Sequence, residues 1–277
     1  MAKANVAASA TKASTGASEN NGWFAPAAIV IAAIVAHLIF YFIMGDGSHY
    51  EGADPVRGHP KDMLGIIYKG GFIVPILMTL LICVFVFSIE RFLTISKAEG
   101  KGSLQTFIKS VKAALESNNV DAAISQCDKQ QGSVANIVRS GLMKYKEMMG
   151  DTGMDRDQKV ASIQQDIEEA TALEIPMLEQ NMPVLATIGS IGTLIALLGT
   201  VIGMIKAFSA LASSGAPDAV ALSTGISEAL INTAFGIGTS ALAIVVYNFF
   251  TAKIDGLNYR IDEAAFSIGQ SFVAHNK

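Results

Sequence analysis

The sequence predicts an all-α membrane protein: four transmembrane helices, with long helices that extend into a cytoplasmic helical domain. Three observations predict this. Only 16% of the 277 residues are charged while 51% are hydrophobic, and the mean hydropathy is +0.42, so the chain carries less charge than soluble chains of this length do. The apolar residues are gathered into four stretches, each long enough to cross a bilayer core. The polar region between the second and third stretches repeats its apolar residues with the period of a helix.

Residues 1–22 are rich in Ala, Ser, Thr and Asn, with Lys3 and Lys12, and read as a disordered cytoplasmic tail. The first span is 23–44, roughly 33 Å long at 1.5 Å per residue. Its apolar part exceeds the usual core of a signal peptide and its polar lead is weakly basic, so it reads as an uncleaved helix. Residues 45–71 form a periplasmic loop. The second span, 72–92, carries Pro75 in its first turn, where a missing N–H costs least. It closes on Glu90-Arg91-Phe92, an interfacial charge pair at a helix end.

Residues 93–183 form the cytoplasmic helical domain. Leu104, Phe107, Ile108, Val111 and Leu115 recur at helical spacing, and Asn118-Asn119 then breaks the pattern. Residues 120–149 suggest one or two further helices, interrupted near Gly132. From Asp155 the period returns in Val160, Ile163, Ile167, Ala170 and Leu173. It runs towards the third span, with kinks expected at Pro176 and Pro183. The third span is 184–208, a periplasmic loop covers 209–227, the fourth span is 228–250, and 251–277 form a cytoplasmic C-terminal helix.

Lys and Arg set the orientation. With the amino terminus inside, segments 1–22, 90–182 and 251–277 hold 16 of the 20 basic residues. Arg57, Lys61 and Lys69 lie outside, with Lys206 anchoring the outer end of the third span. This asymmetry places both termini in the cytoplasm. In a two-membrane cell the chain is then a multi-pass protein of the inner membrane.

Several functions are disfavoured. A net charge of −4 gives no reason to expect nucleic-acid binding. Cys83 and Cys127 form no CxxC pair, and His37, His49, His59 and His275 are scattered, so neither a metal site nor another cofactor is expected. Gly236-Ile237-Gly238 lacks the strand–turn–helix setting of a dinucleotide site. No nucleophile–base pair stands out, and no enzymatic activity is expected.

The residues that can carry chemistry lie in the last two spans. Residues 229–250 contain no charge, and Glu228 stands at their edge. A carboxylate there is costly against hydrocarbon, so it faces other helices or a wet cavity. A group that is either charged or neutral inside a membrane is what a proton-driven device needs. Asn232 lies one helical turn beyond Glu228, and Thr233 lies deeper. On the third span Thr193 and Thr200 are seven residues apart and share a face, forming with Asn232 and Thr233 a candidate pore lining for water and protons. A membrane Thr also commonly bonds its own helix carbonyl one turn back, and Asn232 also fits a role as interhelical glue. Gly189, Gly192, Gly199, Gly203 and Gly236 let backbones approach closely, with Gly199 and Gly203 a small-xxx-small pair.

These two spans resemble the ExbB/TolQ/MotA proton-channel family, and ExbB most closely. The matching runs are Leu185-Ala186-Thr187-Ile188-Gly189, Leu198-Gly199-Thr200-Val201-Ile202-Gly203-Met204-Ile205, Ile226-Ser227-Glu228-Ala229-Leu230 and Thr233-Ala234-Phe235-Gly236-Ile237. Tyr247-Asn248 and Ile89-Glu90-Arg91-Phe92 add to them, and the resemblance covers roughly 72–255. It implies that Thr200, Glu228 and Thr233 fall on the pore residues. It also implies a homopentameric ring around a dimer of a single-span ExbD-like protein that supplies an aspartate. A TonB-like protein then takes the work to outer-membrane transporters.

Three features depart from the family pattern. Gly192-Thr193 stands where Ala-Pro is frequent, Leu242 stands where proline is frequent, and the span at 23–44 is one more than ExbB has. Membrane lipid around the ring is the simplest contact for that extra helix. The resulting expectation is a proton-channel stator subunit of a TonB–ExbB–ExbD-type motor. A TolQ-like stator, or one for a gliding or secretion motor, is the alternative of the same class. A non-conducting membrane scaffold is the alternative of another.

Overall fold

The computed structural model describes residues 23–55, 58–212 and 218–276. The expected tail at 1–22 lies outside the described residues. Among those residues there are helices and one isolated β-bridge, Tyr50 with Pro60, but no strand. Four helices among the described residues are long and apolar enough to cross a membrane, and the chain is an all-α membrane protein. It divides into two compact units, each built from separate stretches of sequence. One holds the described residues up to Val86 together with Ile191–Thr239, and the other holds Phe87–Ser190 with the chain from Ser240.

In the first unit, α1 spans Phe24–Leu38 and continues as a π-helical turn, Ile39–Met44. The turn closes with the Gly45 amide donating to the Phe40 carbonyl at 3.0 Å. Ala32 and Ala36 give α1 a smooth buried stripe. Ala36, Phe40 and Met44 pack against Val74 and Met78, with Ile231 and Phe235 at the edge of the cluster. The segment expected as a loop at 45–71 is folded. Tyr50 is fully buried and its hydroxyl donates to the Met44 carbonyl at 2.8 Å. A short helix, α2, spans Met63–Tyr68, capped by Asp62, whose Oδ1 accepts from the Gly65 amide at 2.9 Å. The chain then turns through Gly70 and Gly71 into α3, Ile73–Glu99.

The second unit contains the polar helices: α4 at Leu104–Glu116, α5 at Val120–Gln130, α6 at Gly132–Gly150 and α7 at Arg156–Glu179. Asn118 takes φ +54°, and Asn119 caps α5 by accepting from the Ala122 amide. Gln131 and Gly132, at φ +58° and +85°, separate α5 from α6. Asp155 and Gln158 form a capping box at the start of α7. Of the apolar positions with helical spacing, Phe107, Ile108, Val111, Leu115, Ile163 and Ile167 are buried and Leu104, Val160 and Ala170 half-buried, whereas Leu173 is exposed.

Glu90 and Arg91 are paired but do not stand at a helix end. α3 runs two turns further, to Glu99. Arg91 is only 1% exposed and its Nη1 donates to the Met177 and Leu178 carbonyls at 3.2 and 2.7 Å. Those carbonyls sit where α7 ends, with Pro176 inside its last turn, and a terminal turn leaves acceptors in need of donors. The Glu90 carboxylate accepts from Arg91 and from Asn181 Nδ2, which balances the buried charge.

Two further helices contribute to both units: α8 at Met182–Ala212 and α9 at Ala219–His275. The loop expected at 209–227 is therefore shorter. Residues 209–212 and 219–227 are helical. Asp218 starts α9 by accepting from the Val220 and Ala221 amides, both at 3.0 Å. Glu228 consequently lies more than two turns inside α9 rather than at its first residue.

Candidate functional site

Small residues let α8 and α9 cross at contact distance. A Cβ on Gly203 would lie 2.7 Å from the Gly225 carbonyl oxygen, and one on Gly225 would lie 2.7 Å from the Ala207 amide nitrogen. Further along, a Cβ on Gly199 would meet Asn232 at 2.8 Å, and one on Gly236 would meet the Ala196 Cβ at 2.2 Å and the Gly192 carbonyl at 2.7 Å. No side chain larger than hydrogen fits at these points, which is the physical content of a small-residue helix interface. Gly189 belongs to the second unit, where it lies against Ile244.

The close crossing brings polar groups of the two helices together. Glu228 is 5% exposed and Asn232 is fully buried. The two Glu228 oxygens accept from the Lys206 ammonium at 2.6 and 2.9 Å. Lys206 is thus not a free interface anchor; it is the counter-ion of Glu228. The opposite side of the carboxylate faces Gly71, where a Cβ would stand 2.5 Å from Oε1. Gly71 takes φ +76°, a conformation that glycine adopts at low cost. One turn along α9, Asn232 Nδ2 donates to the Gly70 carbonyl at 2.9 Å. Its Oδ1 is buried with no hydrogen-bond partner among the described residues. Such an orphan acceptor is costly unless a water, proton donor or ligand fills it.

Thr200 and Thr233 meet directly, hydroxyl to hydroxyl. Each oxygen also lies 3.0 Å from a carbonyl of its own helix, Ala196 for Thr200 and Ala229 for Thr233. Each hydroxyl has one proton to give. One of the pair therefore donates across the interface while the other donates to its own helix. Exchanging those roles needs only O–H rotation, with no movement of heavy atoms. The backbone bond and the hydroxyl contact thus coexist at both positions. Thr193 is exposed and lies two turns before Thr200 on α8, about 10 Å along the axis; it is not part of this cluster. A groove of about 550 Å³ runs along α8 over Thr200, Val201, Met204, Ile205 and Phe208.

Outside the spans, the Gly65 amide and then His49, whose Nδ1 is 2.6 Å from Asp62 Oδ2, hold the Asp62 carboxyl below the usual carboxylate range. Among the described residues no three His, Cys, Asp or Glu side chains converge as metal ligands do.

The sequence reading missed Lys206, Gly70, Gly71, Ala207 and Gly225 as parts of this cluster. One signal for Lys206 was present: it is the only charged residue in 184–208, as Glu228 is in 228–250, and buried charges are paired. Gly70 and Gly71 carried no local signal, because their partners lie more than 150 residues away.

Residues 129–263 match the profile of the MotA/TolQ/ExbB proton channel family. A Tol-Pal system protein TolQ from Pseudomonas aeruginosa is 32% identical over 124 residues, 45% of this chain and 54% of that protein. A biopolymer transport protein ExbB from Pseudomonas putida is 35% identical over 85 residues, 31% of this chain and 26% of that protein. The ExbB of Salmonella typhimurium is 33% identical over 84 residues, 30% and 34% of the two chains. The chain thus spans about half the length of the TolQ relative and about a third or less of the two ExbB relatives. Both names occur at similar identity.

Proposed function

We propose, from the match of residues 129–263 to the MotA/TolQ/ExbB proton channel family, that the chain is the proton-channel stator subunit of a TonB–ExbB–ExbD-type motor in the inner membrane. The observation that carries this reading is the polar cluster inside an apolar helix crossing: Glu228, Asn232 and the Thr200–Thr233 hydroxyl pair. Glu228 to Thr233 covers about 7.5 Å along α9. Over that distance the cluster offers a carboxylate, an open amide oxygen and two hydroxyls whose donor direction reverses without backbone motion. These are the properties a proton relay needs.

In this reading both termini are cytoplasmic, and a homopentameric ring encloses a dimer of an ExbD-like single-span protein. The groove over Thr200 is the surface such a partner helix would meet, bringing an aspartate towards the hydroxyl pair. A TonB-like protein receives the work. The TolQ relative supports a second reading, a Tol-type stator with the same proton path. The two differ in partners, and mass spectrometry of the gently extracted complex separates them.

Proton flux through the complex, reconstituted with its co-purifying partner in liposomes, tests the mechanism. Glu228→Gln is expected to lower flux by about a hundred-fold, the scale of losing a positioned proton-transfer group. Combined Thr200→Ala and Thr233→Ala is expected to lower it as well. Unchanged flux in both would sink the relay and favour a non-conducting scaffold.

A further inference from the structure

Lys206 is no member of the relay, yet its ammonium holds both oxygens of the relay's carboxylate. Nζ lies 2.6 Å from Oε1 and 2.9 Å from Oε2 of Glu228. A cation within reach of both oxygens sits where a metal ion sits when a carboxylate chelates it. The other approach to Oε1 is walled by Gly71. The two side chains are unequally placed: that of Glu228 is 6% exposed and that of Lys206 is 51% exposed. The ammonium therefore reaches in from the accessible side and rests 5.9 Å from the centre of the Phe72 ring, within cation–π range.

We propose that Lys206 determines the ion selectivity of this site: it is a tethered cation that keeps sodium and potassium off Glu228. The inference rests on the proton-channel reading. A mobile metal ion would need both carboxylate oxygens and the volume that Nζ already fills. It would also bring a second positive charge next to the first, in a buried site where that repulsion is stronger than in water. A proton has neither requirement. It adds to one oxygen, forms a single O–H bond and leaves the ammonium with its own protons. The ammonium then loses an ionic partner and stays beside the Phe72 ring. Lys206 is thus a positioning and selectivity residue, and Glu228 remains the group that carries the proton.

The test uses the full chain in liposomes. Infrared carboxylate bands are recorded in sodium chloride and in choline chloride, and the Glu228 contribution is the part abolished by Glu228→Gln. Wild-type bands are expected to be insensitive to sodium. In Lys206→Met they are expected to shift with sodium and to saturate, and Lys206→Arg is expected to restore insensitivity. With the partner present, radioactive sodium uptake should appear only in Lys206→Met. Bands in Lys206→Met as insensitive as those of wild type, or wild-type bands that already shift with sodium, would overturn the proposal. If the Met variant fails to fold, Lys206→Gln carries the same comparison, since it removes the charge and keeps a hydrogen bond. The band shift needs no ion flow, so absent proton flux in wild type would count against the channel reading and leave this readout intact.

Discussion

Two independent costs act on any replacement of Gly71. Its φ of +76° is strained for a side chain, and a Cβ there would press on Glu228 Oε1. Gly71→Ala is expected to destabilise the protein by about 2 kcal/mol, read as a lower thermal midpoint in detergent. Gly102 is the comparison: it also has positive φ but nothing within 4 Å of its Cβ direction, so Gly102→Ala should show the strain alone and a smaller drop. The contrast between these glycines also marks how far single residues were legible. Glu228, Asn232, Thr200 and Thr233 stand out because polar groups in apolar runs need partners. Their being one cluster follows from α8–α9 packing, for which the glycine spacing was a fair guide. Lys206 was ambiguous, because a lysine near the end of a span also fits a snorkelling role. Thr193 shares a helix face with Thr200 by spacing, but its position along the axis keeps it out of the cluster.

At the scale of elements, local chemistry marks the ends of the polar helices. Asn119 and Asp155 cap α5 and α7, and the break after Gln130 coincides with positive φ at Gln131 and Gly132. The membrane helices were harder to delimit, since apolarity marks where a helix meets lipid and not where its hydrogen bonds stop. α9 therefore begins nine residues before Glu228, at a cap set by Asp218. α2 offers a test of such a cap. The Gly65 amide and His49 hold the Asp62 carboxyl below its ordinary value. A depressed carboxyl adds stability that is fully present above its unfolded value, roughly pH 4, and is lost as the pH falls through the folded value. Asp62→Asn is therefore expected to lower the thermal midpoint at pH 7. The gap to wild type should narrow in acid; a gap that persists unchanged at low pH would show that the charge is not what Asp62 contributes.

At the scale of the whole molecule, large apolar side chains remain on the surface of the membrane helices. Phe42 is 75% exposed, Leu194 64% and Val245 66%. Exposed apolar residues also run along the rest of α1, α8 and α9. Lipid and further copies of the chain are the covers such a surface calls for. The protein is expected to stay with membranes washed in alkaline carbonate or high salt and to leave only with detergent. Native mass spectrometry of the extracted complex is expected to give five copies of a 29.1 kDa chain, together with smaller partner chains. Release by carbonate, or a single copy in mild detergent, would contradict the ring. Within such a ring the hydroxyl pair has a consequence of its own. In the proposed relay, each proton handed from Thr200 to Thr233, or the reverse, would leave the two O–H bonds pointing the other way, so that the pair would remember the last passage. It must turn back before the next proton can follow in the same direction. Transport through it is then an alternation of hop and reset, and heavy water should slow both halves of the cycle.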